Sequence, residues 1–226
     1  MRYLNKIVFI NSATVKYAEI ELDGNVHFIG TQGVGKSTLL RAILFFYNAN
    51  KIKLGIPREK KSFDEYYFQY QNSYIIYEIV KDNIHFCVLA YKVNGKVAYR
   101  FFNSTYKREL FLDENNRAFE SWDKIRNAFG RSIHYTSIIS SYEDFRRIIY
   151  GDNKGLKPEF RKYALIESRQ YQNIPRTIQN FFLNSNLEAK FIKDTIINSL
   201  NEDEFAIDLE NYSKNHLRDF ESEIND

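Results

Sequence analysis

Residues 30–38 read Gly30-Thr31-Gln32-Gly33-Val34-Gly35-Lys36-Ser37-Thr38, a complete phosphate-binding loop of the form G-x-x-x-x-G-K-[ST]. Nothing else in the chain restricts its fold so tightly. Three of its nine glycines, Gly30, Gly33 and Gly35, fall within six residues. Glycines let a backbone wrap closely enough for successive N–H groups to point at phosphate oxygens, where a Cβ would obstruct. In such a loop Lys36 reaches the β- and γ-phosphates and the Ser37 hydroxyl ligates Mg²⁺. The flanks suit the motif. Val26-His27-Phe28-Ile29 is a short β-prone run. Thr38–Tyr47 reads as a helix with Leu39, Leu40, Ile43, Phe46 and Tyr47 on one stripe. A strand–loop–helix unit aims free N–H groups and a positive dipole end at the phosphates. The candidate nucleotide-binding residues are therefore Gly30, Gln32, Gly33, Val34, Gly35, Lys36, Ser37 and Thr38, with Ser37 as metal ligand and ATP with Mg²⁺ as the implied ligand.

At 226 residues with 44% apolar and 16% aromatic content, the chain can build a sizeable core, which excludes global disorder. A net charge of +3 gives no global basic field, so any nucleic-acid contact has to come from a local patch. The single cysteine, Cys87, lies in the apolar run Ile84–Leu89 and reads as a buried core thiol; the expected setting is reducing and cytoplasmic. No segment approaches a membrane span, and no signal-peptide core precedes the first strand.

Along the chain, Lys6–Asn11 reads as a strand, and Lys16–Leu22 alternates towards the turn signal Asp23-Gly24-Asn25. Residues 48–72 are polar and irregular and read as a long loop. Four β-like stretches follow, Ser73–Val80, Ile84–Val93, Lys96–Phe102 and Glu109–Leu112, with Asn94-Gly95 predicting a two-residue hairpin. An antiparallel meander thus follows the phosphate-loop helix. Helical patterns then appear at Glu120–Phe129, Tyr142–Tyr150, Arg176–Leu183 and Leu187–Leu200. Residues 205–226 place Leu209, Tyr212, Leu217, Phe220 and Ile224 at three- and four-residue steps, as either a polar surface helix or the start of a coiled coil. The expected organisation is an α/β phosphate-loop half-domain over residues 1–200, with an antiparallel meander and C-terminal helices, and a polar helix over 201–226.

A self-sufficient ATPase also needs an acidic residue at the end of a strand for Mg²⁺ and a Glu or Gln for the attacking water. The nearest candidate is Leu110-Phe111-Leu112-Asp113-Glu114, and Asp113-Glu114-Asn115-Asn116-Arg117 reads equally as a hairpin tip. Asp152-Asn153-Lys154-Gly155 fits D-x-x-G, but no N-K-x-D guanine reader follows, and there is no LSGGQ-like segment. The catalytic residues are left unassigned.

Half a site of this kind resembles the N-terminal head segment of the SMC-like ABC ATPases: chromosome-maintenance proteins, bacterial condensins of the Muk type, DNA-repair relatives and Wadjet-type defence ATPases. Lys6–Asn11, Ile20-Glu21-Leu22-Asp23-Gly24 and Val26–Leu44 carry the resemblance. It implies an ATPase whose remaining motifs lie in a C-terminal segment beyond a coiled coil, and a site completed by that segment and a second head. It also implies double-stranded DNA as a partner. Gln32 stands where those families typically have Asn. Their catalytic glutamine has no counterpart in Thr136–Glu143, which leaves Gln170 and Gln172 as later candidates. The DNA-facing candidates are Lys51, Lys53, Arg58, Lys60 and Lys61, then Arg146, Arg147, Lys154, Lys157, Arg161 and Lys162, with Tyr66, Tyr67, Tyr150 and Tyr163 among them. A stand-alone phosphate-loop NTPase or kinase using Asp113 or Glu114, and a non-hydrolysing nucleotide-binding module, remain the alternatives.

Overall fold

The computed structural model describes residues 2–23, 35–48, 54, 56, 59–152 and 154–166. All of these belong to the first of two compact units, Met1–Ser185 and Asn186–Asp226. The expected strand at 26–29, the helices beyond residue 175 and the polar C-terminal helix lie outside the described residues.

Five strands form one antiparallel sheet: β1 (Arg2–Ser12), β2 (Val15–Glu21), β3 (Tyr74–Lys81), β4 (Ile84–Val93) and β5 (Lys96–Phe102), in the order β2-β1-β3-β4-β5. The turns set the register. Asn94 and Gly95 both take positive φ (49° and 79°), and so do Asp82 and Asn83 (49° and 67°). Left-handed residue pairs of this kind match the twist of the flanking strands, which is why Asn, Asp and Gly occupy them. Lys81 then pairs with Ile84 and Val93 with Lys96. β1 and β2 turn at Ala13-Thr14, since Ser12 pairs with Val15.

Alternation divides the strands between two cores. Ile7, Phe9, Ile75, Tyr77, Ile79, Val88, Tyr99 and Phe101 face one side, covered by α1 (Lys36–Asn48), α4 (Tyr142–Ile149) and the 3₁₀ helix Pro158–Tyr163. Val8, Ile10, Tyr74, Ile76, Cys87, Leu89 and Phe102 face the other, covered by α3 (Trp122–Phe129) and the segment Leu110–Leu112. Cys87 is fully buried as expected, its Sγ 3.2 Å from the Ser104 carbonyl oxygen, and burial pushes its thiol well above the ordinary range.

Three expectations need correction. Residues 48–72 are not loop throughout, because a five-residue helix α2 (Phe63–Tyr67) forms there behind a capping box made by Ser62 and Glu65. Glu109–Leu112 is not a strand: Leu110, Phe111 and Leu112 are all buried. A strand would send alternate residues to opposite faces, whereas the 3₁₀ turn Arg108–Leu110 brings all three against the same core. Finally, α1 is buried more widely than its predicted stripe. Ala42, Leu44 and Phe45 are sealed along with Phe46, because α2 and α4 pack on it as well as the sheet.

The segment 134–139 runs along the outer edge of β5. Tyr99 and Ile139 exchange N–H···O bonds of 2.8 and 2.9 Å. Thr136 N–H donates to Phe101 O, and Asn103 N–H donates to His134 O, each at 2.9 Å. Inside the sheet, β1 carries a bulge at Asn5, between the Leu4 and Lys6 pairings with β3.

Candidate functional site

The described part of the phosphate loop is its exit, Gly35-Lys36-Ser37-Thr38. Gly30, Gln32, Gly33 and Val34 lie outside the described residues. Gly35 has φ +90° and open space where a Cβ would stand. Glycine is therefore favoured there by backbone conformation and not by crowding. Its carbonyl accepts the first helical bond, from Leu39 N–H at 3.0 Å. Lys36, Ser37 and Thr38 thus form the first turn of α1, whose N–H groups have no partner within the helix. Ordinary helix chemistry would put Asp or Glu here and keep cations away. Instead α1 has no acidic residue in its first turn and begins with a lysine. A turn that offers N–H groups, one ammonium and the exposed Ser37 hydroxyl has the donor set for an anion and, through Ser37, for a hard cation.

Tyrosines from three elements fix α1 in place. Tyr67 of α2 donates its hydroxyl to Thr38 O at 2.6 Å. Tyr77 of β3 donates to Ala42 O at 2.9 Å. Tyr150, which closes α4, donates to Tyr47 O at 2.7 Å. Burial raises all three phenols above the ordinary range, so they stay protonated and act as donors. Stacked rings fill the space between: Phe45 lies 4.2 Å from Phe63, and Phe63 lies 4.1 Å from Tyr67. Beside the first turn, the Tyr66 hydroxyl sits 3.5 Å from Thr38 Oγ1.

The other sequence candidates are dispersed. Asp113 and Glu114 extend from the Leu110–Leu112 segment, which packs on the sheet face opposite α1. Asp113 Oδ1 accepts Asn115 N–H at 2.9 Å and Arg117 N–H at 2.8 Å, so that carboxylate shapes the hairpin tip. Asp152 is likewise a loop former. It accepts from Arg147 Nε and from Lys154 N–H at 3.2 Å each, contacts that hold its carboxyl below the usual range. Thr136 and Ile139, in the region without a glutamine, bind the edge of β5; Gln170 and Gln172 lie outside the described residues.

Among the basic candidates, Lys51, Lys53 and Arg58 also lie outside the described residues. Lys60, Lys61, Lys154, Lys157, Arg161 and Lys162 are exposed. Arg146 pairs with Glu143, and Arg147 with Asp144 and Asp152. Tyr67, Tyr150 and Tyr163 do not stand among these cations as surface rings, because all three are buried. They belong to the core that holds α1. Sequence reading missed α2, and with it the placement of Tyr66 and Tyr67. The available signal was Ser62-x-x-Glu65, an S-x-x-E capping box.

A family model described as a protein of unknown function, DUF3584, matches residues 9–221. The chain belongs to that family. Membership agrees with the coarse part of the resemblance, an N-terminal segment of SMC-like proteins, and singles out none of the particular systems. A comparison with curated proteins finds no match.

Proposed function

We propose that this chain is the ATP-binding N-terminal head segment of an SMC-like ABC ATPase. One observation carries the reading: α1 opens with a positive-φ glycine followed by a lysine and two hydroxyl residues, with no acid in its first turn. Lys36 places its ammonium against the β- and γ-phosphates, the turn's N–H groups bind phosphate oxygens, and Ser37 holds Mg²⁺. Bound Mg²⁺ neutralises phosphate charge. The tyrosines on the α1 carbonyls keep the turn in one place, so little of the binding energy is spent on ordering it.

The location of Asp113 on the far side of the sheet counts against a stand-alone enzyme built on it. Hydrolysis in this reading awaits a C-terminal head half and a second head. The setting is cytoplasmic, in DNA maintenance, repair or defence. Double-stranded DNA is a proposed partner through the exposed Lys154, Lys157, Arg161 and Lys162, as a sequence-independent, salt-sensitive contact. Among the described residues no helix is long and apolar enough to cross a membrane.

The test is calorimetric titration of MgATP. Lys36→Ala should weaken binding by roughly tenfold or more, and the chain alone should show negligible turnover. Unchanged affinity in that variant sinks the phosphate-loop assignment.

A further inference from the structure

α2 holds one aromatic ring, Tyr66, packed against the core and only partly covered. Phe63 stacks between Phe45 and Tyr67, and Tyr67 binds Thr38 O, so the helix is locked onto the start of α1. The capping box holds its N-terminus, and Gln69 Nε2 donates to both Tyr66 O and Ala13 O at 3.1 Å. Tyr66 is thereby fixed in backbone. Its ring meets Tyr67 edge-on at 5.1 Å, yet it stays half-buried while Phe63, Tyr67 and Phe68 are sealed. Its hydroxyl points at the Thr38 hydroxyl, 3.5 Å away.

Position along the first turn supplies the meaning. In the phosphate-loop reading Lys36 serves the β- and γ-phosphates, Ser37 the metal and the loop's N–H groups the α- and β-phosphates, and Thr38 follows them in the same turn. A rigid, half-open aromatic ring next to Thr38 is placed to meet the nucleoside.

Resting on the phosphate-loop reading above, we propose that Tyr66 is a nucleoside-contacting residue. It packs its ring against the sugar or base and so lets the site hold a nucleoside triphosphate more tightly than bare polyphosphate. An aromatic face accepts any base, so the contribution is common to adenine and guanine nucleotides.

The experiment titrates MgATP, MgGTP and magnesium tripolyphosphate into the full chain and into four variants, with circular dichroism as a check on folding. Tyr66→Ala and Tyr66→Leu should each weaken both nucleotides by roughly tenfold, leaving tripolyphosphate within about twofold of the parent. Leu keeps apolar bulk but has no π-face. Tyr66→Phe should stay near the parent for all three ligands. Lys36→Ala should weaken all three alike. If Tyr66→Ala and Tyr66→Leu leave the nucleotides unchanged, or weaken tripolyphosphate equally, the nucleoside contact is overturned while the phosphate loop stands. If Lys36→Ala changes nothing, the phosphate loop itself fails and the proposal fails with it.

Discussion

The two faces of the sheet handle their polar groups in opposite ways. On the α1 face the strands present apolar side chains and tyrosines, and the Tyr77 hydroxyl reaches a helix carbonyl. On the other face the strands themselves carry charge. Glu78, 5% exposed, accepts from Asn5 Nδ2 at 2.7 Å and from Tyr106 N–H at 2.6 Å. Arg100 donates to Tyr91 Oη and Thr136 O while lying 4.3 Å over the Trp122 ring. These charges hold loops down; the tyrosines hold a helix in position. The difference teaches that a buried charge is not by itself a sign of a site. Here the charged strand residues do structural work, and the candidate site stands at the end of the other face.

The largest expected effect separates the faces by stability. Phe45→Ala empties the space among Phe63, Tyr99 and Tyr142 and should cost about 3–5 kcal/mol in denaturant unfolding, with nucleotide binding lost alongside. Glu78→Leu should cost about 1–3 kcal/mol by stranding the Asn5 and Tyr106 donors. Its MgATP affinity should match the parent. A loss as large as that of Lys36→Ala would break the separation between faces. Tyr77→Phe removes one buried donor, while Ala42 O keeps its helical bond, so about 0.5–1.5 kcal/mol is expected. That variant sharpens the comparison if MgATP affinity falls along with stability.

The smallest effect concerns pH at the β1–β2 hairpin, beside the second core. Burial works to raise the Glu19 carboxyl, but Lys6 and Tyr17 outweigh it and bring it below its ordinary 4.5. A lowered folded value means stability present above that ordinary value and lost as pH falls through the folded one. Lys6, lowered by burial but raised more strongly by Glu19 and Glu21, contributes in the opposite limb, losing its share as pH rises through a value above 10.5. Glu19→Gln should flatten the acid limb of urea midpoints by less than about 1 kcal/mol, since the pair is partly exposed. An unchanged limb would remove the hairpin pair from the pH dependence.

How much of this was legible in the sequence depended on how local each determinant is. Strands β4 and β5 were readable to the residue, because Asn94-Gly95 fixes their hairpin within two positions. The helix behind the loop was readable because glycine, lysine and serine announce it together, although it begins at Lys36, two residues before the expected Thr38. α2 was not, since five residues carry no helical period and the signal rests on Ser62 and Glu65 alone. The roles of Tyr67, Tyr77 and Tyr150 were hidden for another reason. Their partners are backbone carbonyls 29, 35 and 103 residues away, which no local pattern records. Tyr150 and Tyr163, read beside cations as candidate surface rings, belong to the core for the same non-local cause.

The segment along β5 has a further consequence, in terms of assembly. An uncovered edge strand offers a row of unpaired N–H and C=O groups on which another chain can add a strand. Residues 134–139 occupy part of that row from within the same molecule, taking bonds with Tyr99, Phe101 and Asn103. Sheet growth by backbone pairing is closed along that stretch of β5, and a partner that approaches it there has to be recognised through side chains.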